Sequence, residues 1–146
     1  MPTRAEAIAN TLQEFLRSAV DVEGAAVVSP DGLSMASALP QSLDEERLSA
    51  MTAAMLSLGE RAAEALGRGR LNQVFVEGSN GYVFLMSAGP AVLCAITKHG
   101  AKIGLVLYEM RRASAGIAAS LEEPAGSPTP SSQPAQLRPQ REQSAS

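Results

Sequence analysis

Apolar residues recur along this chain with two different periods, and the points where the period changes outline its elements. From Thr3 to Ala19 the spacing is helical: Ile8, Leu12, Phe15, Leu16 and Ala19 form one stripe, while Glu6, Asn10, Gln13, Glu14 and Arg17 lie mostly elsewhere. Thr3 and Glu6 have the spacing of a capping box, in which each side chain satisfies a free backbone N–H of the first turn. Val22 to Ser37 then reads as a β-hairpin, with an apolar first strand from Gly24 to Ser29, a Pro30-Asp31-Gly32 turn and a second short strand. The first strand is apolar on both faces, so it is expected to be central and covered on both sides.

Ser42-Leu43-Asp44-Glu45 reads as a second capping box, opening the longest helix, about Leu43 to Leu66. Leu48, Met51, Met55, Leu58, Ala62 and Leu66 share a face at spacings of three and four, the face expected to pack on the sheet. Met51 and Met55 would also suit a partner groove, but core packing is the simpler expectation. The opposite face carries Glu46, Ala50, Ala53, Ser57, Glu60, Arg61 and Glu64, small and polar enough for something to lie against it. Gly67-Arg68-Gly69 supplies the stop.

Three strand-like runs follow: Leu71 to Glu77, Tyr82 to Ser87 and Ala91 to Thr97. Gly78-Ser79-Asn80-Gly81 and Ala88-Gly89-Pro90 separate them, which predicts an antiparallel meander. The last run is apolar on both faces and reads as central, whereas Asn72, Gln73 and Glu77 mark the first as an edge strand. Ala101 to about Leu121 has a strand-like start in Ile103-Gly104-Leu105-Val106-Leu107-Tyr108. Ile103, Val106, Met110, Ala113, Ile117 and Leu121 nevertheless continue one helical stripe, and the segment is read as a single helix. The order α-ββ-α-βββ-α predicts an α+β domain over residues 1–121, a five-stranded antiparallel sheet with helices on both faces. Residues 122–146 are rich in Pro, Ser and Gln with almost no large apolar side chains, and are expected to form a disordered tail.

Composition narrows the function classes. Hydrophobic residues at 45% and charged residues at 18% describe a globular chain. The net charge of −3 comes without a basic stripe, and only 3% of residues are aromatic, so neither phosphate neutralisation nor base stacking has material to work with and no nucleic-acid partner is expected. No signal-peptide pattern and no apolar run of about 18 residues is present, so membrane insertion is not expected and the cytoplasm is the default compartment. One cysteine excludes an internal disulfide framework.

Candidate chemistry is sparse. Cys94 lies in the most apolar strand, where cysteine acts as a small hydrophobe, and His99 reads as a solvated loop residue. If the strand persisted to residue 99, the odd separation of the two would place them on opposite sheet faces. One histidine and one cysteine, without His-Glu-x-x-His or Cys-x-x-Cys, do not make a zinc site. Gly67-Arg68-Gly69-Arg70-Leu71-Asn72 lacks the third glycine of a dinucleotide loop and follows a helix, and no Gly-Lys-Ser/Thr is present. Asp44-Glu45 and Glu122-Glu123 fit a helix dipole or solvent better than a catalytic dyad. No enzyme, cofactor or metal site is expected.

The wording and order of several segments resemble the roadblock/dynein light-chain family over about Ala5 to Leu121. They are Val22-Glu23-Gly24-Ala25-Ala26-Val27-Val28 with Asp31-Gly32-Leu33, the alanine-rich second helix, Val76-Glu77-Gly78 leading to Gly81-Tyr82-Val83-Phe84-Leu85, and Ala101-Lys102-Ile103-Gly104-Leu105. The resemblance implies a roadblock/profilin-like fold and a homodimer in which the third strands join one continuous sheet with the second helices side by side. Leu71, Gln73, Phe75 and Glu77 would then meet across a twofold axis, with Leu56 and Ala63 as the helix contact. Bacterial members resemble regulators of Ras-like small GTPases in cell polarity and gliding motility, some acting as GTPase-activating proteins. By position, Ala50, Ala53, Ser57, Glu60, Arg61 and Glu64 would form the GTPase-docking face. Arg61 could be imagined as an arginine finger, but a solvated arginine is the commoner case on such a face. A structural adaptor without effect on GTP turnover, or a small-molecule sensor module, remains the alternative; against the sensor, the apolar strands carry few polar groups to orient a ligand.

Overall fold

The computed structural model describes residues 2–122. The expected disorder of the tail falls almost wholly on residues 123–146, outside the described residues. The first helix, α1, spans Arg4–Ser18 with Thr3 as N-cap, and the capping box forms in both directions: the Glu6 N–H donates to Thr3 Oγ1 at 3.1 Å and the Thr3 N–H donates to Glu6 Oε1 at 2.8 Å. The hairpin strands are β1 (Val22–Val28) and β2 (Ser34–Ala38), followed by α2 (Glu45–Ala65). The meander is β3 (Gln73–Gly78), β4 (Gly81–Ala88) and β5 (Ala91–Lys98), and α3 runs Ile103–Glu122, so the strand-like start of that segment is helical and the helix ends one residue beyond the expected domain boundary.

The sheet is antiparallel throughout, in the order β2-β1-β5-β4-β3. The two strands read as apolar on both faces, β1 and β5, pair at its centre, and the more polar β3 is an edge. Alternation along the strands builds a core on each face. On one side Ile8, Leu12 and Phe15 of α1 and Val106, Met110, Ala113 and Ile117 of α3 pack on Ala25, Val27, Phe84, Met86, Leu93 and Ala95. On the other, α2 lies alone over Ala26, Val28, Leu85, Val92 and Cys94.

Three expectations require correction. The cap of α2 is Asp44, not Ser42: its Oδ1 accepts from the N–H groups of Glu46 and Arg47, and a carboxylate satisfies two such donors better than a hydroxyl while favouring the positive helix end. Leu71 precedes β3 and packs beside Gly59 of α2. The third concerns the rotation of α2. Its sheet-facing residues are Leu48, Ser49, Thr52, Met55, Leu56 and Gly59, whereas Met51, Leu58 and Leu66, expected in the core, are 47%, 63% and 70% exposed. The reason is proximity: a Cβ at Gly59 would stand 3.1 Å from a Leu71 methyl and 3.2 Å from Val74, so α2 seats its smallest side chains where the backbone comes closest to the sheet.

Candidate partner-binding surface

The short loop after β2 leads into the Asp44 cap at the start of α2. The neighbouring Ser34 and Ser37 hydroxyls of β2 hold the Glu45 carboxyl below the ordinary glutamate range. At the other end Gly67 takes φ +68, the Gly67 N–H donates to the Glu64 carbonyl and the Arg68 N–H to the Ala63 carbonyl, a Schellman closure that turns the chain toward β3. Between these fixed ends the helix has three faces. One packs on the sheet. A second carries Met51, Ala54, Leu58 and Ala62 outward as an apolar flank, and Val76 of β3 is exposed on the same side of the sheet.

The third face holds the candidate docking residues together. Ala50, Ser57, Glu60, Arg61 and Glu64 are exposed, and Ala53 is half-buried against Gly32 of the hairpin turn. Small side chains at its N-terminal half and charges at its C-terminal half leave the surface shallow at one end and polar at the other. Leu56 and Ala63, by contrast, lie on the sheet side; Leu56 packs against the second core cluster, so neither forms the outer flank. On β3, Gln73, Phe75 and Glu77 share the opposite sheet face, the α1/α3 side, and all three are exposed. Sequence reading missed the apolar flank because its spacing matched a core stripe. The signal that could have revealed it was the competing run Ser49, Thr52, Gly59 and Ala63, whose small side chains mark a close approach.

The suspected nucleophile and base stand apart. Cys94 is buried on β5 beneath α2, and burial pushes its thiol up to about 11, so it stays protonated at neutral pH. His99 is exposed in the turn beyond β5. Among the described residues no group of three or more His, Cys, Asp or Glu could hold a metal ion, and no helix is long and apolar enough to cross a membrane. What the surface offers is contact area.

The family model described as Roadblock/LC7 domain matches residues 8–97. The uncharacterized protein MJ1340 of Methanocaldococcus jannaschii is 38% identical over 98 residues, covering 67% of this chain and 86% of its own length. Among solved structures, Myxococcus xanthus MglB superposes with a TM-score of 0.77 at 21% identity, covering 84% of this chain and 92% of that one. Acanthamoeba castellanii profilin II superposes with a TM-score of 0.56 at 14% identity, covering 75% and 95% respectively. These two likenesses carry the fold: the expected roadblock/profilin-like arrangement is the one present.

Proposed function

Because the chain belongs to the Roadblock/LC7 domain family, we propose that it acts as a non-catalytic homodimer that binds and regulates a Ras-like small GTPase through α2. The observation that supports this most directly is the division of α2 into a sheet face and two unlike outward faces, beside a strand that is an edge of the sheet among the described residues. In the proposed dimer two β3 edges join around a twofold axis and the Met51–Leu58 flanks cover one another. That arrangement removes two liabilities together, the open backbone groups of an edge strand and an exposed apolar stripe. Leu71 and the outward side chains of Gln73, Phe75 and Glu77 border the seam, and Leu56 and Ala63 support the flank from beneath.

The paired helices then present Ala50, Ser57, Glu60, Arg61 and Glu64 outward, with Ala53 half-buried at the margin of that face beside the hairpin turn. Small residues let a partner's switch segments approach the helix backbone closely, while Glu60, Arg61 and Glu64 select by charge. Regulation on this reading requires no group inserted into the nucleotide site. A partner conformation bound ten times more tightly than its alternative is favoured by about 1.4 kcal/mol, enough to order a switch region already sampled. Arg61 serves as a contact residue.

The experiment is GTP turnover by the organism's Ras-like GTPase, alone and with this protein in excess. A tenfold or larger acceleration is the expected outcome. Unchanged turnover with a stable GTP-state complex would leave a structural adaptor, and unchanged turnover without a complex would remove the GTPase reading altogether.

A further inference from the structure

The outward face of α2 that carries Ala50, Ser57, Glu60, Arg61 and Glu64 has small and charged side chains but no large apolar one. Protein interfaces draw most of their affinity from a few large, desolvated anchors, while small and charged residues supply fit and a solvated rim. A partner seated here therefore needs an anchor from a neighbouring element. Met51 and Leu58 lie on the flank turned to the seam, and Leu105 and Tyr108 belong to α3 on the far side of the sheet.

The neighbour on this side is the β1–β2 hairpin. A Cβ at Gly32 would stand 3.6 Å from Ala50 Cα and 3.6 Å from Ala53 Cβ, so the turn rests against α2 at the margin of the face. Three hydrogen bonds brace it. The Leu33 N–H donates to Ser29 Oγ at 3.2 Å, the Ser29 N–H to the Leu33 carbonyl at 2.8 Å, and the Gly32 N–H to the Ser29 carbonyl at 3.0 Å. On this turn Leu33 keeps 67% of its surface exposed. Along β2, Ser34 and Ala36 pair with the consecutive Val28 and Val27, so Met35 is the extra residue of a bulge, and it too is exposed. Bulges re-aim side chains and recur beside functional sites. Neither Leu33 nor Met35 belongs to either core cluster, so the fold gives no account of a leucine at a turn, where polar residues are the rule.

We propose that the hairpin is the second element of the partner-docking surface, with Leu33 and Met35 as the apolar anchors for an exposed apolar patch of the Ras-like GTPase seated on α2. This rests on the reading of α2 as the GTPase-docking face. A side chain presented on a hydrogen-bonded turn has little backbone freedom left to lose, so the ordering cost of burying it is small. The small side chains of Ala50 and Ala53 let a partner lie low enough on the helix to meet the hairpin as well.

The test is titration calorimetry of the full chain against the organism's Ras-like GTPase loaded with a non-hydrolysable GTP analogue. Leu33→Ser, which adds no charge, is expected to weaken the complex at least tenfold, whereas Leu33→Met should stay within twofold of wild type. Leu105→Ser, at an exposed leucine of α3, is expected to bind as wild type does, and all three variants should keep the wild-type thermal midpoint and mass. Undiminished binding by Leu33→Ser would overturn the anchor and leave the α2 reading standing. An equal loss in Leu105→Ser would overturn it too, because the hairpin would then have no special part. A wild-type chain that forms no complex would remove the GTPase reading itself, and the anchor with it.

Discussion

Single side chains set two measurable properties of this domain. Cys94 has an unfolded thiol value of 9.0 and a folded value raised to about 11 by burial. A raised folded value means that the contribution is complete below pH 9 and is lost as pH climbs toward 11, because the unfolded chain releases its proton first. Two pH units correspond to about 3 kcal/mol. Urea denaturation of wild type and Cys94→Ala between pH 8 and 11 should show the wild type losing stability by roughly this amount more than the variant. Glu45 works in the opposite sense: its lowered carboxyl value stabilises the fold above the ordinary 4.5 and the effect disappears as pH falls through the folded value. Gly81, at φ +151 and the start of β4, is the backbone counterpart: an added Cβ there would overlap the Thr97 carbonyl oxygen. Gly81→Ala is expected to destabilise by about 3 kcal/mol, read as a fall in thermal midpoint, since the obstacle is backbone that cannot swing aside.

For whole elements, ends were easier to read than orientations. The α1 capping box was legible because both partners lie within four residues, whereas the α2 box was misplaced by two because Ser42 and Asp44 are both good caps and only geometry chooses between them. The distinction is testable by thermal unfolding: Asp44→Ala should cost about 1 kcal/mol and Ser42→Ala close to nothing. The start of α3 receives help that no local pattern could reveal, since the Lys102 N–H donates to Asp21 Oδ2 at 3.0 Å from 81 residues away. The rotation of α2 was misread for a related reason. Leu48, Met51, Met55 and Leu58 form a respectable core stripe by period alone, yet the helix turns Leu48, Thr52, Leu56 and Gly59 inward because close packing over β3 rewards small side chains as much as large ones.

For the molecule as a whole, the consequence of that rotation is an apolar flank that no other described residue covers. Met51→Glu combined with Leu58→Glu should leave the thermal midpoint of the fold nearly unchanged, because both side chains are exposed, while halving the mass measured by light scattering. A mass that stays the same would remove the proposed seam. Arg61→Ala should weaken any GTPase complex by severalfold without changing the mass, as befits a contact residue. Activation that vanishes while the complex persists would instead make Arg61 an inserted finger, which is worth 10³–10⁵ in rate where it operates.

The amino-acid sequence by itself determined the element order, the hairpin and meander turns, the central place of β1 and β5, and the edge position of β3, because each depends on period, caps and glycine-rich turns encoded within a few residues. It also placed Ala50, Ser57, Glu60, Arg61 and Glu64 on an outward helix face. Only the tertiary structure decided which face of α2 meets the sheet, that Leu56 belongs inside and Leu58 outside, and that Phe75 joins Tyr82 and Phe84 in one aromatic group. Those outcomes depend on distances between segments far apart in the chain, and helical period, which fixes angles around one axis, carries no information about how near the neighbouring surface will be.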